Sequence, residues 1–405
     1  MKILFITAEG FDTPNPNNQM AETMIRTFLE NDFQVHLIQS HRKGINPDIP
    51  DSLMGRKGFT CDTVPRKVVD KTNFIRRYLN DMRYAFQARK RWKKVKDADV
   101  IYLQSNPTIV FPMVLLKIFR RRVPIVYSIY DVFPGHAYDI GVIRSKFIYN
   151  TLRLIQKPCY RMADKILVQS EDMVQKVVEQ GARREKLVVV PAWFDVSTTH
   201  EIPWEENRFV EKYQITKDKF HVQFAGTIGY VFDYKAVLEL AERLKDEKNI
   251  DIQIIGDGNV KEQFMKEAED RGLSNLIFYP LQPVEIVPDV YSECDACIIP
   301  LKKGVIGYGV PSKAAILMAC KRVIISSVEK DSAYAKMFEQ KDMGIAVDCQ
   351  DYDGFADAIR FLAANPKRVR EMVENAYIFG QENYLSTRNI GVMMDVFRSA
   401  HQERS

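Results

Sequence analysis

The sequence predicts an α/β chain made of two doubly wound, Rossmann-like domains with parallel sheets. Short β-branched runs alternate with helix-length amphipathic segments along almost all of it, which is the pattern of strand–helix–strand units. The chain has 405 residues, too many for one ordinary core and suited to two. The alternation breaks from Pro191 to Lys219, where Pro203 and several charges intervene and no strand begins until His221. That break reads as a linker.

In the first half the expected strands are Ile3–Thr7, Gln34–Gln39, Val100–Gln104, Ile125–Ile129, Ile166–Gln169 and Leu187–Val190. Helices are expected near 18–31, 73–96, 107–121, 144–162 and 171–180. In the second half the strands fall near His221–Ala225, Asp251–Ile255, Leu276–Tyr279, Ala296–Ile299, Arg322–Ser326 and Gly344–Val347. The helices there fall near 233–246, 260–271, 311–320, 352–364 and 367–379, with a last one from Ser386 to Ala400. The expected division is 1–200, 201–380 and a closing segment 381–405. No repeat relates the halves. Open α/β sheets bind ligands at the carboxyl ends of their strands, so facing crevices would form one site.

Composition narrows the class. Hydrophobic residues are 46% and aromatics 11%, enough for packed cores and against wholesale disorder. Six cysteines, most of them alone in apolar runs, suit a reducing compartment. MKILFITAEG lacks the apolar length of a signal peptide. The longest apolar candidate, Thr108 to Phe119, contains Pro112 and Lys117 and is too short to span a bilayer. A cytoplasmic protein is expected. Residues 1–200 carry 32 Lys+Arg against 20 Asp+Glu, and the remainder carries 26 against 33. A basic half joined to an acidic half suggests that one half faces an anionic partner.

Several motifs sit where such sheets place chemistry. The loop Ala8 to Asn18 has one glycine, Gly10, so a dinucleotide fingerprint is absent. It is either a plain connection or a ligand-facing loop. FAGTIGY, Phe224 to Tyr230, ends a strand with Gly226, Thr227 and Gly229, where backbone amides can approach an anion. IIGDG places Gly256 and Asp257 at the next strand end, with Asp257 either lining a site or capping the following helix. In YGVPSKAAILMA, Pro311 suits a first helical turn, which puts Ser312 and Lys313 at a helix N-terminus. A lysine with free amides there makes a diphosphate site; a solvated lysine is the alternative. SIYDVFPGH carries Asp131 and His136 just past a strand end, either as catalytic groups or as a capping loop. Cys294-x-x-Cys297 has no second pair or nearby histidine and reads as two packed thiols, so no metal is expected.

From Lys71 to Lys96 there are ten Lys/Arg and one acid, Asp81. Phe74, Tyr78, Met82 and Phe86 recur at helical spacing within it, with Trp92 off that register. An amphipathic basic helix with aromatics reads as a membrane-surface element. Its basic and aromatic candidates are Arg76, Arg77, Arg89, Lys90, Arg91, Trp92 and Lys93. Arg120 to Arg122 would add to the same patch. Nucleic-acid binding and a merely solvated face are the rivals.

Taken in order, these pieces resemble glycosyltransferase family 4, the retaining enzymes of GT-B fold, and within it bacterial enzymes that build capsule, exopolysaccharide and O-antigen units. MKILFIT, DVFP, ADKILVQSEDM, VVVPAWFD, FHVQFAGTIG, IIGDG and VPSK are collinear with that family's pattern. The resemblance implies two Rossmann-like domains about a central cleft, with the last helix crossing back to the first domain. It implies a nucleoside-diphosphate-sugar donor, UDP-linked by expectation, and a polyprenyl-diphosphate-linked saccharide acceptor. The protein would work at the inner face of the cell membrane without a cofactor or metal, and nucleic acid would not be a partner. Carried over, Gly226, Thr227, Pro311, Ser312 and Lys313 would hold the diphosphate, Gly256 and Asp257 would line the nucleotide, and Asp131, His136 and Lys313 would be catalytic.

The chain also departs from the family. Two glutamates common before the Met318-Ala319 pair are Tyr308 and Ile316 here. The arginine after the first strand of the second domain is missing, with Lys235 a distant substitute. Lys321, Val323 and Ala192 replace a common Gly, Pro and Asn. The missing carboxylates leave a second reading, a non-catalytic GT-B partner in a polysaccharide assembly complex.

Overall fold

The computed structural model describes the chain apart from residues 13–15, 68–73, 93–94, 96, 105–122 and 405; for residues 16, 17, 74, 75, 77, 78 and 92 it describes the backbone alone. Two compact units result. The first is Met1–Tyr138 with Ile143–Pro191 and Ser386–Ser405; the second is Ala192–Leu385 with Asp139–Val142.

The first unit holds a seven-stranded parallel sheet. Its strands are β1 (Lys2–Ile6), β2 (Gln34–Arg42), β3 (Phe59–Arg66), β4 (Val100–Gln104), β5 (Ile125–Ser128), β6 (Lys165–Val168) and β7 (Leu187–Val189). They lie in the order β3-β2-β1-β4-β5-β6-β7. The central strands read as unbroken apolar runs because helices cover both faces: Ile3 to Ile6 and Val100 to Leu103 are buried. Among the described residues the connecting helices include Pro16–Glu30, Phe74–Trp92, Lys146–Met162 and Glu171–Glu179.

β3 was not expected from sequence. FTCDTVPR is an edge strand, half exposed for most of its length and carrying Pro65, and edge strands tolerate both polar residues and proline. Its pairing with β2 nevertheless runs over eight residues, Val35↔Phe59 to Arg42↔Arg66. The helix expected at 107–121 and the Arg120–Arg122 run lie outside the described residues.

The last helix, Ser386–Gln402, belongs to this first unit, as the family resemblance implied. Phe397 is fully buried and packs edge-on against Phe28 at 5.4 Å and Tyr102 at 5.5 Å. The Arg404 guanidinium lies 2.6 Å from the Asp164 carboxylate, and Lys165 lies 2.6 Å from Glu403.

The second unit holds a six-stranded parallel sheet: β8 (Phe220–Thr227), β9 (Ile250–Asp257), β10 (Leu276–Tyr279), β11 (Ala296–Pro300), β12 (Val323–Ser327) and β13 (Gly344–Val347). The order is β10-β9-β8-β11-β12-β13. Helices Tyr234–Leu244, Ala333–Lys341 and Tyr352–Ala364 begin at Asp233, Ser332 and Asp351, whose side chains accept from the first-turn amides. The stretch after Ala192 packs onto this unit instead of hanging free. The Asn207 carboxamide donates to the Asp289 carbonyl at 2.7 Å, and Arg208 forms an ion pair with the buried Asp289 carboxylate at 2.5 Å.

In each sheet the chain runs outward from its first strand and then jumps to that strand's other side. The reversal lies between β1 and β4 in one unit and between β8 and β11 in the other. Such switch points open crevices at the carboxyl ends of the strands. Phe397→Ala should lower the stability of the first unit by about 3–5 kcal/mol, read from urea unfolding. A loss below about 0.5 kcal/mol, typical of a surface change, would show that the last helix is not part of that core.

Candidate functional site

In the second unit the carboxyl ends of β8 and β9 run on as a glycine pair. The sequence ends β8 at Ala225, but pairing continues through Gly226↔Gly256 and Thr227↔Asp257. Gly256 has φ +142°, and a Cβ there would lie 1.9 Å from the Gly226 carbonyl oxygen. Only glycine lets the two strands stay this close. Gly226 has φ +148°, and a Cβ on it would come within 3.0 Å of the Lys313 Nζ. The Lys313 ammonium thus lies directly against the bare backbone of Gly226.

Lys313 opens the helix Lys313–Ala319, with Ser312 at its N-cap. Pro311 stands one residue before the cap, outside the first turn where the sequence reading put it. Ser312 is exposed and its side chain makes no capping hydrogen bond. The Lys313 Nζ donates to the Ala225 carbonyl at 3.2 Å and sits 3.6 Å from the Phe224 ring centroid. Among the described residues no carboxylate forms an ion pair with it. Burial without a counter-charge pushes its pKa down to about 7.

Lys261 is a second cation that sequence reasoning passed over. Its Nζ donates to the Gly256 carbonyl at 2.7 Å. The signal was available: Lys261 follows IIGDG by three residues, at the start of the helix Lys261–Asp270. Asp257 does not cap that helix. Its exposed carboxylate accepts from the Gly258 amide at 2.8 Å. Thr227 is likewise exposed beside it. The structure thus gathers Gly226, Gly256, Lys313 and Lys261 at adjoining strand ends, with Thr227 and Asp257 beside them.

The positions of the absent family carboxylates are apolar or aromatic in fact. Tyr308 is buried, and Ile316 packs on the core beneath Lys313. A different acid stands nearby in the fold. Glu329, just past β12, accepts the Gly304 amide with one carboxylate oxygen; its other oxygen is buried without a hydrogen-bond partner among the described residues. Gly304 opens the loop that leads to Pro311. Nothing in the run VEKDS marked Glu329 as more than a surface charge.

Asp131 and His136 belong to the first unit, just past β5. His136 Nδ1 lies 3.8 Å from the Asp131 carboxylate, an ion-pair distance for a protonated ring and too long for a hydrogen bond. Asp131 is exposed and His136 half-buried. Cys294 and Cys297 are buried free thiols 3.3 Å apart, as packed thiols should be. Among the described residues no group of three or more His, Cys, Asp or Glu could hold a metal ion.

On the helix Phe74–Trp92, Arg76 and Lys90 are exposed, and Arg89 and Arg91 are half-buried. Leu79 and Phe86 are exposed between them. Asp81, the acid of the segment, is turned inward to an ion pair with Arg66. Lys93 and the side chains of Arg77 and Trp92 lie outside the described residues. No described helix is long and apolar enough to cross a membrane.

Two family descriptions match the chain in succession: "Glycosyl transferase 4-like domain" over residues 21–193 and "Glycosyl transferases group 1" over residues 205–379. The chain is 26% identical over 286 residues to the probable glycosyltransferase WbjE of Pseudomonas aeruginosa, covering 70% of each. It is 25% identical over 227 residues to the putative colanic acid biosynthesis glycosyl transferase WcaI of Escherichia coli K12, covering 55% of each. Among solved structures, Anabaena HepE in complex with UDP is similar at a TM-score of 0.71 and 14% identity, over 98% of this chain and 100% of that one.

Lys313 fixes a pH dependence. In the empty site it is charged below pH ~7 and neutral above, since burial lowers its pKa to about 7. A bound diphosphate restores the charge, so binding above pH ~7 must draw in a proton. Calorimetry with a nucleoside diphosphate should show affinity falling by up to roughly tenfold per pH unit above 7, relative to Lys313→Met, and no such difference below 7. Parallel pH profiles for the two proteins would refute this.

Proposed function

We propose that this chain, which belongs to the glycosyltransferases that join a 4-like domain to a group 1 domain, transfers a sugar with retention from a UDP-sugar to a lipid-linked saccharide in surface-polysaccharide synthesis. The observation that carries the donor half of this reading is Lys313, a half-buried lysine whose ammonium lies against Gly226 with no carboxylate paired to it among the described residues. A nucleoside diphosphate supplies the missing charge. The similarity to HepE, solved with UDP, and to WcaI, named for colanic acid biosynthesis, supports the choice of donor and of pathway class.

In the reaction the anomeric C–O bond to the diphosphate breaks and a bond to an acceptor hydroxyl forms on the same face. The proton of that hydroxyl passes to the departing phosphate oxygen. Negative charge grows on the diphosphate, so a fixed cation beside it lowers the barrier most. Lys313 and the amides of Gly226 and Thr227 take that role, with Pro311 and Ser312 shaping the approach. Gly256, Asp257 and Lys261 line the nucleotide side. Asp131 and His136 serve the acceptor side, with His136 as a hydrogen-bond donor. No metal or cofactor is needed, because the lysine supplies the positive charge. The exposed face of Phe74–Trp92 holds the protein at an anionic bilayer where the acceptor resides.

UDP release from UDP-sugars in the presence of a lipid-linked acceptor tests the assignment. Lys313→Ala should lower kcat/KM about 100-fold or more, the scale of removing one charge-stabilising donor. Turnover equal to the parent would refute the site. EDTA should leave the rate unchanged; a loss restored by Mg²⁺ or Mn²⁺ would show that a metal shares the work.

A further inference from the structure

The helix Lys146–Met162 was singled out by nothing in the sequence, yet it presents the barest apolar side chains among the described residues of the first unit. Phe147 is 80% exposed, Leu154 70% and Ile148 51%. Phe147 and Leu154 stand seven residues apart, two turns along one face. The opposite face is the one that holds this helix to its unit, through the buried Gln156, Cys159 and Tyr160.

Charge accompanies the apolar stripe. From Ile140 to Ala163 the chain carries Arg144, Lys146, Arg153, Lys157 and Arg161 and no acidic residue. Arg144, Lys146, Arg153 and Arg161 are exposed. A helix of one charge sign that leaves a phenylalanine and a leucine this bare matches a surface that is both anionic and apolar just beneath.

The topology sets this helix on the same sheet face as the other basic one. The step from β3 to β4, made through Phe74–Trp92, and the step from β5 to β6, made through Lys146–Met162, run in the same direction across the sheet. Right-handed crossovers put both helices on one face. The helix Pro16–Glu30 makes the opposite step, from β1 to β2, and packs with Ser386–Gln402 on the other face.

We infer that Lys146–Met162 is a lipid-docking helix that inserts Phe147, Ile148 and Leu154 into an anionic bilayer while its lysines and arginines meet the headgroups. This rests on the membrane part of the reading above and is independent of its donor part. A nucleic acid would answer the charges but leave the apolar stripe in water, so a bilayer is the better match.

The experiment is co-sedimentation of the full chain with vesicles of phosphatidylcholine and phosphatidylglycerol, and with phosphatidylcholine alone. Phe147→Ser/Leu154→Ser is compared with Leu79→Ser/Phe86→Ser on the other helix. UDP affinity and thermal unfolding are followed throughout. The unaltered protein should bind the anionic vesicles, less so as salt rises. Phe147→Ser/Leu154→Ser should weaken that binding about tenfold or more with UDP affinity and melting temperature unchanged. Binding that depends on Leu79 and Phe86 alone would overturn the inference. So would a parent that ignores vesicles, in which case retained UDP binding would show that the donor reading stands without the membrane. A parent that self-associates through Phe147 and Leu154, or binds duplex DNA as well as vesicles, would also overturn it.

Discussion

An ammonium taken out of water needs something negative or strongly polar beside it, and among the described residues no carboxylate forms an ion pair with Lys313. It has one carbonyl, that of Ala225, and the face of Phe224. A cation over an aromatic ring recovers part of the lost solvation, but far less than an ion pair in the same place would. The lowered pKa expresses that deficit. A lysine kept at such a cost for folding is consistent with a task in binding, where the missing charge arrives with the ligand. The rest of the second unit is arranged around this one contact.

The arrangement starts from the parallel sheet. Parallel strands end together at one edge, and the reversal between β8 and β11 leaves a gap at that edge. Gly226 and Gly256 keep the floor of the gap free of side chains: a Cβ at Gly256 would strike the Gly226 carbonyl, and Gly226 holds a φ of +148° that favours glycine. The Lys313–Ala319 helix is short and apolar, with Ala314, Ala315, Leu317 and Met318 buried beneath it. That burial fixes where its first residue stands. Glu329 secures the start of the preceding loop through the Gly304 amide. Core packing, glycine geometry and one loop anchor together hold the charge in place.

Much of this was legible in the sequence, for physical reasons that can be named. Strands buried on both faces must be continuous apolar runs, so VIYLQ and ACIIP announce themselves. Glycines at strand ends mark backbone constraints that composition cannot hide, and Gly226 and Gly256 stood out accordingly, while Pro311 marked the helix start two residues early. What stayed hidden depended on distant partners. β3 is an edge strand whose Asp62, Pro65 and half-exposed residues break the apolar run that marks a buried strand, so its pairing with β2 shows only in the fold. Glu329 matters through Gly304, 25 residues away in sequence. The bareness of Phe147 and Leu154 is equally invisible, since an apolar residue in a helix is normally read as facing the core.

The charge asymmetry of the chain gains a structural meaning from those same residues. The excess of lysine and arginine in the first 200 residues is not spread as a uniform field. Part of it is spent in local pairs such as Arg66–Asp81, which removes the acid of the Phe74–Trp92 helix from the surface. What remains outward is basic and interrupted by bare apolar side chains on two helices of one sheet face. Free lysines alone would give a salt-sensitive attraction to any polyanion. Apolar groups among them add a part that does not fade with salt and that only a bilayer can accept. The two contributions together distinguish a protein held at a membrane from one drifting near it. Under the proposed function, a transferase so held would meet a lipid-linked acceptor by diffusion in two dimensions, while its donor would arrive from solution to the Lys313 site.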